Sequence, residues 1–563
     1  MRIAFLDIPV VALILFFLIS SFISIDRWAS FAGSFGVWRD GFFVFFFLVV
    51  WYFLAATFLK VRLIWRLGFI LPILFMFLLG ILSKSFAVAF LGLSALLFFH
   101  IARLKRDKKP LVQGNEVLLI ASLLLFLGIL GAFPISSLLP QFLPLQESML
   151  DSWQVALSSV GASFKNFLLG TGPGTFPLDV AKYSIAGAAK GTGLAEVLAT
   201  FGVLGFSLYS ILFSLVFFRF ALSAFFKNDR DQAFLAASTL ALFGAYLLSP
   251  ASLALSLVFW TLAALARQQT HIIPNRVRPF WKLGVLVLAG LVCFWGFRAF
   301  AGQIVFQKAR TEPSITNQVS LLETAKKLNP YEAAYNIALG KLYLNQARED
   351  TDSPQAAVAL ENALLNLRQA TLMSPARFEA WEALGVLYKE IQGAPGATEW
   401  GLKAFETAIS LSPNNPRLYT ELGMLYLDKE QFEDAKDQFE KALALSPGFA
   451  DALLWQALLQ EKEGNPDKAL SLLEKLSLDN PLRGDILFQL GRMYYNKGRL
   501  QDAEVLFRRV LLLSLNNSNA HYSLGLLYEK QKKKKQAIEE FKKVLELNPN
   551  DSNVILKLNQ LTK

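Results

Sequence analysis

Between residues 163 and 206 the chain gathers residue types able to hold an anion and move a proton. The turn Leu168-Leu169-Gly170-Thr171-Gly172-Pro173-Gly174-Thr175-Phe176 sets glycines at alternate positions. Without Cβ atoms, backbone N–H groups can turn to one side and approach a phosphate or sugar closely. Thr171 and Thr175 add hydroxyls. Lys165, Lys182 and Lys190 supply positive charge for an anionic ligand, while Asp179 and Glu196 are of the type that serves as general base. No Gly-Lys-Ser/Thr follows the glycines, so the segment is not a P-loop. The same glycines would equally suit a re-entrant turn that needs close backbone packing. Three histidines (His100, His271, His521) and the single Cys293 are scattered, which predicts no metal site, no cofactor and no intramolecular disulfide.

The elements that carry this segment are set by hydropathy. The chain has 563 residues, 54% hydrophobic, with mean hydropathy +0.41. Residues 1–309 carry 24 Lys and Arg against 11 Asp and Glu, whereas residues 310–563 carry 31 against 33. A basic excess confined to loops between apolar runs marks cytoplasmic loops and argues against a nucleic-acid partner. Apolar runs near the ~20 residues needed to cross a bilayer fall at 8–25, 41–59, 64–83, 86–102, 116–138, 195–218, 232–249, 251–266 and 282–301. The densest basic loop, Arg103 to Lys109, is assigned to the cytoplasm. Alternation then brings Lys60–Arg66, Arg219–Arg230 and Arg267–Lys282 to the same side. The N-terminus is therefore predicted inside; loop 139–194 and everything after residue 301 are predicted outside. Asp7 and Glu196 read as solvated acids at helix ends. The spans hold no carboxylate pair at their midplane, which disfavours an ion-coupled transporter.

After residue 310 a 34-residue period takes over. Leu422, Gly423, Tyr426, Ala435, Phe439 and Pro447 are echoed by Leu490, Gly491, Tyr494, Ala503 and Phe507, and by Leu524, Gly525, Tyr528, Ala537, Phe541 and Pro549. Small residues sit where paired antiparallel helices touch, large ones fill the gap, and proline ends the second helix. This pattern resembles the tetratricopeptide repeat, with six repeats over about 331–549 and a polar capping helix at 551–562. The fold class expected is thus all-α: a polytopic helical membrane domain of about nine spans (1–309) followed by an α-solenoid (310–563). The repeat phase assigns Lys341, Asn345, Lys389, Arg417, Thr420, Arg492, Tyr495, Asn496 and Tyr522 to the inner groove. That face reads either as ordinary solvated surface or as a groove for a protein, peptide or glycan partner.

The sequence from Asp151-Ser152-Trp153 through the glycine turn to Leu194-Ala195-Glu196-Val197-Leu198-Ala199-Thr200-Phe201-Gly202-Val203-Leu204-Gly205-Phe206 resembles the O-antigen ligase and polymerase family. Residues 81–93 resemble the family's Ser-Arg segment, and several members carry C-terminal tetratricopeptide repeats. The resemblance implies a multi-pass protein of the bacterial cytoplasmic membrane that moves glycan from a polyprenyl-pyrophosphate carrier to an acceptor outside. It also implies glycan or pyrophosphate contacts at Gly170, Thr171, Gly172, Gly174, Thr175, Lys165 and Lys182, with Lys190, Glu196 and Asp179 as the catalytic candidates. This chain departs from the family at Gly191-Thr192, where His-Asn is expected, at Ser148-Met149, where an arginine is expected, and at Ser85-Phe86 in the Ser-Arg segment. Two readings follow: a glycosyltransferase with substituted catalytic groups, or an inactive relative that scaffolds envelope assembly through its repeats. A membrane-anchored repeat protein unrelated to that family is the third.

Overall fold

The structure, a computed structural model, describes residues 3–4, 7–24, 26, 45, 48–53, 143–172, 175–184, 193–227, 235–236, 238–239, 242, 253–267, 272–273, 294, 297–299, 301–349, 354–549 and 551–562. The expected spans at 64–83, 86–102 and 116–138 lie outside these residues, as do Gly174 and Lys190, and those at 41–59, 232–249 and 282–301 fall largely outside. The described chain is helical apart from one short antiparallel pair, β1 (Ile3–Ala4) with β2 (Ile272–Ile273). It forms two compact units, residues 1–387 with 410–414, and residues 388–409 with 415–563.

In the first unit α1 (Asp7–Ile23), α2 (Leu143–Gly161), α3 (Phe164–Leu169), α4 (Phe176–Tyr183), α5 (Gly193–Lys227) and α6 (Leu253–Arg267) are the elements that bear on the turn. Within α5, residues Ala195–Leu222 make the one helix among the described residues that is long and apolar enough to cross a membrane. The α1 residues Val10, Leu13 and Phe17 are buried against Leu212, Phe213 and Val216 of α5 and Phe259 and Trp260 of α6. Phe17 stacks on Phe201 with ring centroids 3.8 Å apart and Phe213 on Phe259 at 4.0 Å, contacts that tie α1 and α6 to α5. Asp7, expected to be solvated, is instead buried and accepts the Tyr52 hydroxyl at 2.9 Å. A carboxylate taken from water needs such a donor.

The repeat region consists of helix pairs. Ala333–Glu349 is followed by Pro354–Met373, Phe378–Glu390 by Ala397–Leu411, and Pro416–Asp428 by Phe432–Leu445. Ala450–Lys462 and Pro466–Asp479, Gly484–Asn496 and Leu500–Leu513, and Ser518–Lys530 and Lys534–Leu547 continue the series, and Ser552–Thr562 ends it. Ile315–Leu328 precedes the first pair. Its last carbonyls, of Lys327 and Leu328, accept from the Arg298 guanidinium at 2.7 and 3.1 Å, a cation placed where the helix dipole is negative.

Candidate functional site

The glycine turn is built into a break in α5. Gly202 interrupts that helix with φ +61°, and Gly170 takes φ +71°. The two glycines face each other. A Cβ on Gly170 would stand 2.2 Å from the carbonyl carbon of Thr200, and one on Gly202 would stand 2.6 Å from that of Leu168. A broken helix leaves carbonyls that need donors. The amides of Thr171 and Gly172 supply them, to Ala199 O at 3.1 Å and Thr200 O at 2.9 Å, while the Gly170 amide caps α3 on Asn166 O at 2.9 Å. The N–H groups of Gly170, Thr171 and Gly172, expected to cradle a phosphate, are thus used within the protein.

The hydroxyls are used as well. Ser159 donates to Asp179 Oδ1 at 3.1 Å. Thr171 Oγ1 lies 2.8 Å from Asp179 Oδ2 and 2.8 Å from Thr175 Oγ1, and Thr175 Oγ1 lies 2.6 Å from Gly172 O. These are three short O···O links in series. Thr171 Oγ1 donates to the carboxylate and also lies 3.3 Å from Ala199 O, so its one proton faces two acceptors. Asp179 is 3% exposed, and desolvation pushes its carboxyl up from the ordinary 3.8 to about 7, against the pull of the two hydroxyls and Lys182. Thr171 thus holds the carboxyl directly, and Thr175 is linked to it through Thr171.

The remaining candidates scatter. Lys165 donates to Ile23 O at 2.6 Å, closing the C-terminus of α1, and partial burial lowers its pKa. It caps that helix through one of the ammonium's donors. Lys182 is exposed and stacks over its neighbour Tyr183 at 5.3 Å. Glu196 is buried in the first turn of α5 and not solvated as expected; the Thr200 hydroxyl donates to its backbone carbonyl at 2.6 Å. Val155, Ala156, Phe176, Ala195 and Ala199 pack together beside the Asp179 cluster and keep water from that side. Sequence reasoning missed Ser159, Ser20 and Ser24. The last two donate to the turn carbonyls of Leu169 and Thr171 at 3.2 and 3.0 Å. Serines spaced four apart at the end of an apolar helix were the available signal.

The groove candidates divide by environment. Lys341 and Asn345 are exposed in the first unit; Arg417 and Asn496 are exposed in the second. Thr420 is buried and donates to Pro416 O at 3.0 Å, which removes it from any open face. Lys389 pairs with Glu421 at 2.6 Å, and Arg492 forks onto Glu461, one arm at 2.9 Å. Tyr495 carries Lys530 over its ring at 4.8 Å, and Tyr522 packs on Phe541 at 5.8 Å. Two of the four cations assigned to the groove, Lys389 and Arg492, are thus engaged between successive repeats, while Lys341 and Arg417 are exposed.

Comparison with known proteins bears on this second region. The tetratricopeptide-repeat family models match residues 420–476, 461–522 and 518–551, so the C-terminal region contains tetratricopeptide repeats. Among characterised proteins the chain is 32% identical over 105 residues to Protein O-mannosyl-transferase Tmtc3 of Drosophila melanogaster, 18% of this chain and 11% of the relative. It is 28% identical over 166 residues to Protein O-mannosyl-transferase TMTC3 of Homo sapiens, 29% and 18%. It is 27% identical over 134 residues to Anaphase-promoting complex subunit 3 of Schizosaccharomyces pombe, 24% and 20%. The chain thus spans between 11% and 20% of the length of these relatives. Similar solved structures include a tetratricopeptide repeat protein from Parabacteroides merdae, 20% identical, covering 46% of this chain and 99% of that one with a TM-score of 0.38. YrrB, described as a TPR protein with an unusual peptide-binding site, is 23% identical over 34% of this chain and 97% of its own, with a TM-score of 0.25.

Proposed function

We propose that this chain is an envelope membrane protein that transfers or polymerises glycan carried on polyprenyl pyrophosphate, outside the membrane, in the manner of O-antigen ligases and polymerases. Its repeats would hold a protein partner. The observation that carries the reading is Asp179: a buried carboxyl poised near neutrality, on the helix that follows the glycine turn, held by hydroxyls from α2 and from the turn itself. In the step proposed, an acceptor hydroxyl forms a C–O bond to the anomeric carbon as the bond from that carbon to the pyrophosphate oxygen breaks. The electron pair leaves with polyprenyl pyrophosphate, and the acceptor's proton passes to Asp179. Lys182 and Lys190 would carry the leaving group's charge, more weakly than an arginine fork.

Two contacts support the membrane placement. Ile3–Ala4 pairs with Ile272–Ile273, and Ser20 and Ser24 meet the glycine turn. Each end of α1 thus lies beside a segment that the charge alternation puts on its own side. The names of two relatives denote sugar transfer, which agrees with the class proposed.

The inactive-scaffold reading has its own support, because the turn amides, both threonine hydroxyls and Lys165 are engaged internally. One assay separates them. Full-length protein in vesicles is given a labelled polyprenyl-pyrophosphate oligosaccharide and a glycan acceptor, and release of polyprenyl pyrophosphate is followed. Turnover by the wild type that is lost in Asp179→Asn is expected. A wild type that never turns over excludes transfer and leaves the scaffold; an Asp179→Asn protein as fast as wild type excludes this carboxyl as the base.

A further inference from the structure

Two polar ties join the turn module to the turns between successive repeats, all inside the first compact unit. On one flank the chain leaving α1 binds the glycine turn through Ser20 and Ser24, then buries Asp26. The hydroxyl of Ser374, just after Pro354–Met373, donates to Asp26. Arg377, three residues on, bonds Glu332 at 3.1 Å, and Glu332 also accepts the Ala334 amide at 3.2 Å. Asp26 and Glu379 add to the field of Glu332 on Arg377, so this guanidinium sits among several carboxylates, two of them buried. On the other flank Ser184 closes the C-terminus of α4, its hydroxyl donating to Asp151 at 2.7 Å. The Asn414 amide, from the turn after Ala397–Leu411, donates to Ser184 O at 2.8 Å. Residues 163–184, which hold Asp179, lie between these ties.

We infer that the turns following the first two repeats form a brace that keeps residues 163–172 and 175–184 closed over Asp179, so that release of these ties opens access to that carboxyl. The physical basis is asymmetry. Removing Arg377 leaves Asp26 and Glu332 buried without their shared cation, a state relieved most readily by letting water in through local opening. Losing Asn414 strips one donor from the last carbonyl of the module. The regulatory meaning of the brace rests on the role proposed for Asp179, while its existence does not.

Amide hydrogen exchange of the full-length protein in lipid nanodiscs tests it. Arg377→Ala and Asn414→Ala are each expected to raise exchange across 163–184 roughly tenfold, as for an opening made about 1.4 kcal/mol easier. Arg492→Ala, which breaks a pair in the second unit, should leave that segment unchanged. Should Arg377→Ala fail to accumulate, Arg377→Lys, which keeps the charge and loses the fork, replaces it. In a Cys293→Ser background, Asp26→Cys with Ser374→Cys should form a disulfide under mild oxidation, and Asp26→Cys with the exposed Leu372→Cys should not. Unchanged exchange in both brace variants, or no cross-link selectivity, overturns the proposal. Neither readout needs turnover, so an inactive protein with an intact brace overturns the role of Asp179 and leaves the brace standing.

Discussion

Glycine does opposite work in the turn and in the repeats. Gly423, Gly491 and Gly525 make room for a side chain: a Cβ there would stand 2.5, 2.8 and 2.6 Å from the rings of Phe439, Phe507 and Phe541. Gly170 and Gly202 make room for backbone, with carbonyl and amide atoms at 2.2–2.7 Å and positive φ at both. A ring can tilt by a few tenths of an ångström, whereas a peptide plane fixed by hydrogen bonds cannot. In the repeats glycine serves packing that recurs; in the turn it serves one close crossing of two segments, and that crossing builds the carboxyl's surroundings.

The difference predicts a ranking of losses. Gly170→Ala or Gly202→Ala should cost more than about 4 kcal/mol and prevent the folded protein from accumulating in the membrane, since strain at positive φ adds to a backbone clash. Size-exclusion profiles of the solubilised variants check this, and a well-folded Gly170→Ala protein would erase the contrast.

The next effect depends on pH. Asp179 is raised in the folded state, so between pH 4 and 7 the native protein holds a proton that the unfolded chain has lost. Its contribution to stability is full below pH 4, falls as pH rises to about 7, and is flat beyond. Asp179→Asn, which keeps the protein neutral at this site, should flatten that dependence and stabilise the fold above pH 7 by at most about 4 kcal/mol. Thermal unfolding of both proteins at pH 5 and pH 8 measures it, with the gap expected at pH 8.

Gly491→Ala should cost about 1–3 kcal/mol, the range for overpacking that a side chain partly relieves. It should act on the repeats without changing the turn's hydrogen exchange. Lys165→Ala should be mildest, about 0.3–1 kcal/mol for one cation at the end of α1, read as a small loss of melting temperature that salt reduces.

The same contrast decides what was legible in the sequence. The repeats announce themselves because Gly423, Gly491 and Gly525 recur with their phenylalanines at one fixed offset, so each copy interprets the others. The turn occurs once. Its glycine density is visible, but the partner of Gly170 is Thr200, beyond α4, and nothing local says that α5 breaks at Gly202. The threonines read as donors for a ligand because the acceptor of Thr171, Asp179, lies on the next helix, and that of Thr175 is a carbonyl of the turn itself. Thr420 misled by phase alone, since a polar residue in a repeat register can fold back onto its own backbone. Gly202 and Gly205 lie in the stretch that carries the family resemblance, and the structure gives each a use: Gly202 breaks the helix, and Gly205 admits Phe16 and Phe201, where a Cβ would stand 2.7 and 2.3 Å away.

The central claim is that the single glycine crossing exists to hold a carboxyl that exchanges protons near neutrality. Infrared titration of the full-length protein, taken as the difference between wild type and Asp179→Asn, tests it most directly. A protonated carbonyl stretch that disappears with a midpoint near pH 7, and shifts when Thr171 is replaced by valine, is the result predicted. An Asp179 that stays ionised from pH 5 to pH 8, with Thr171→Val leaving the spectrum unchanged, would contradict the account.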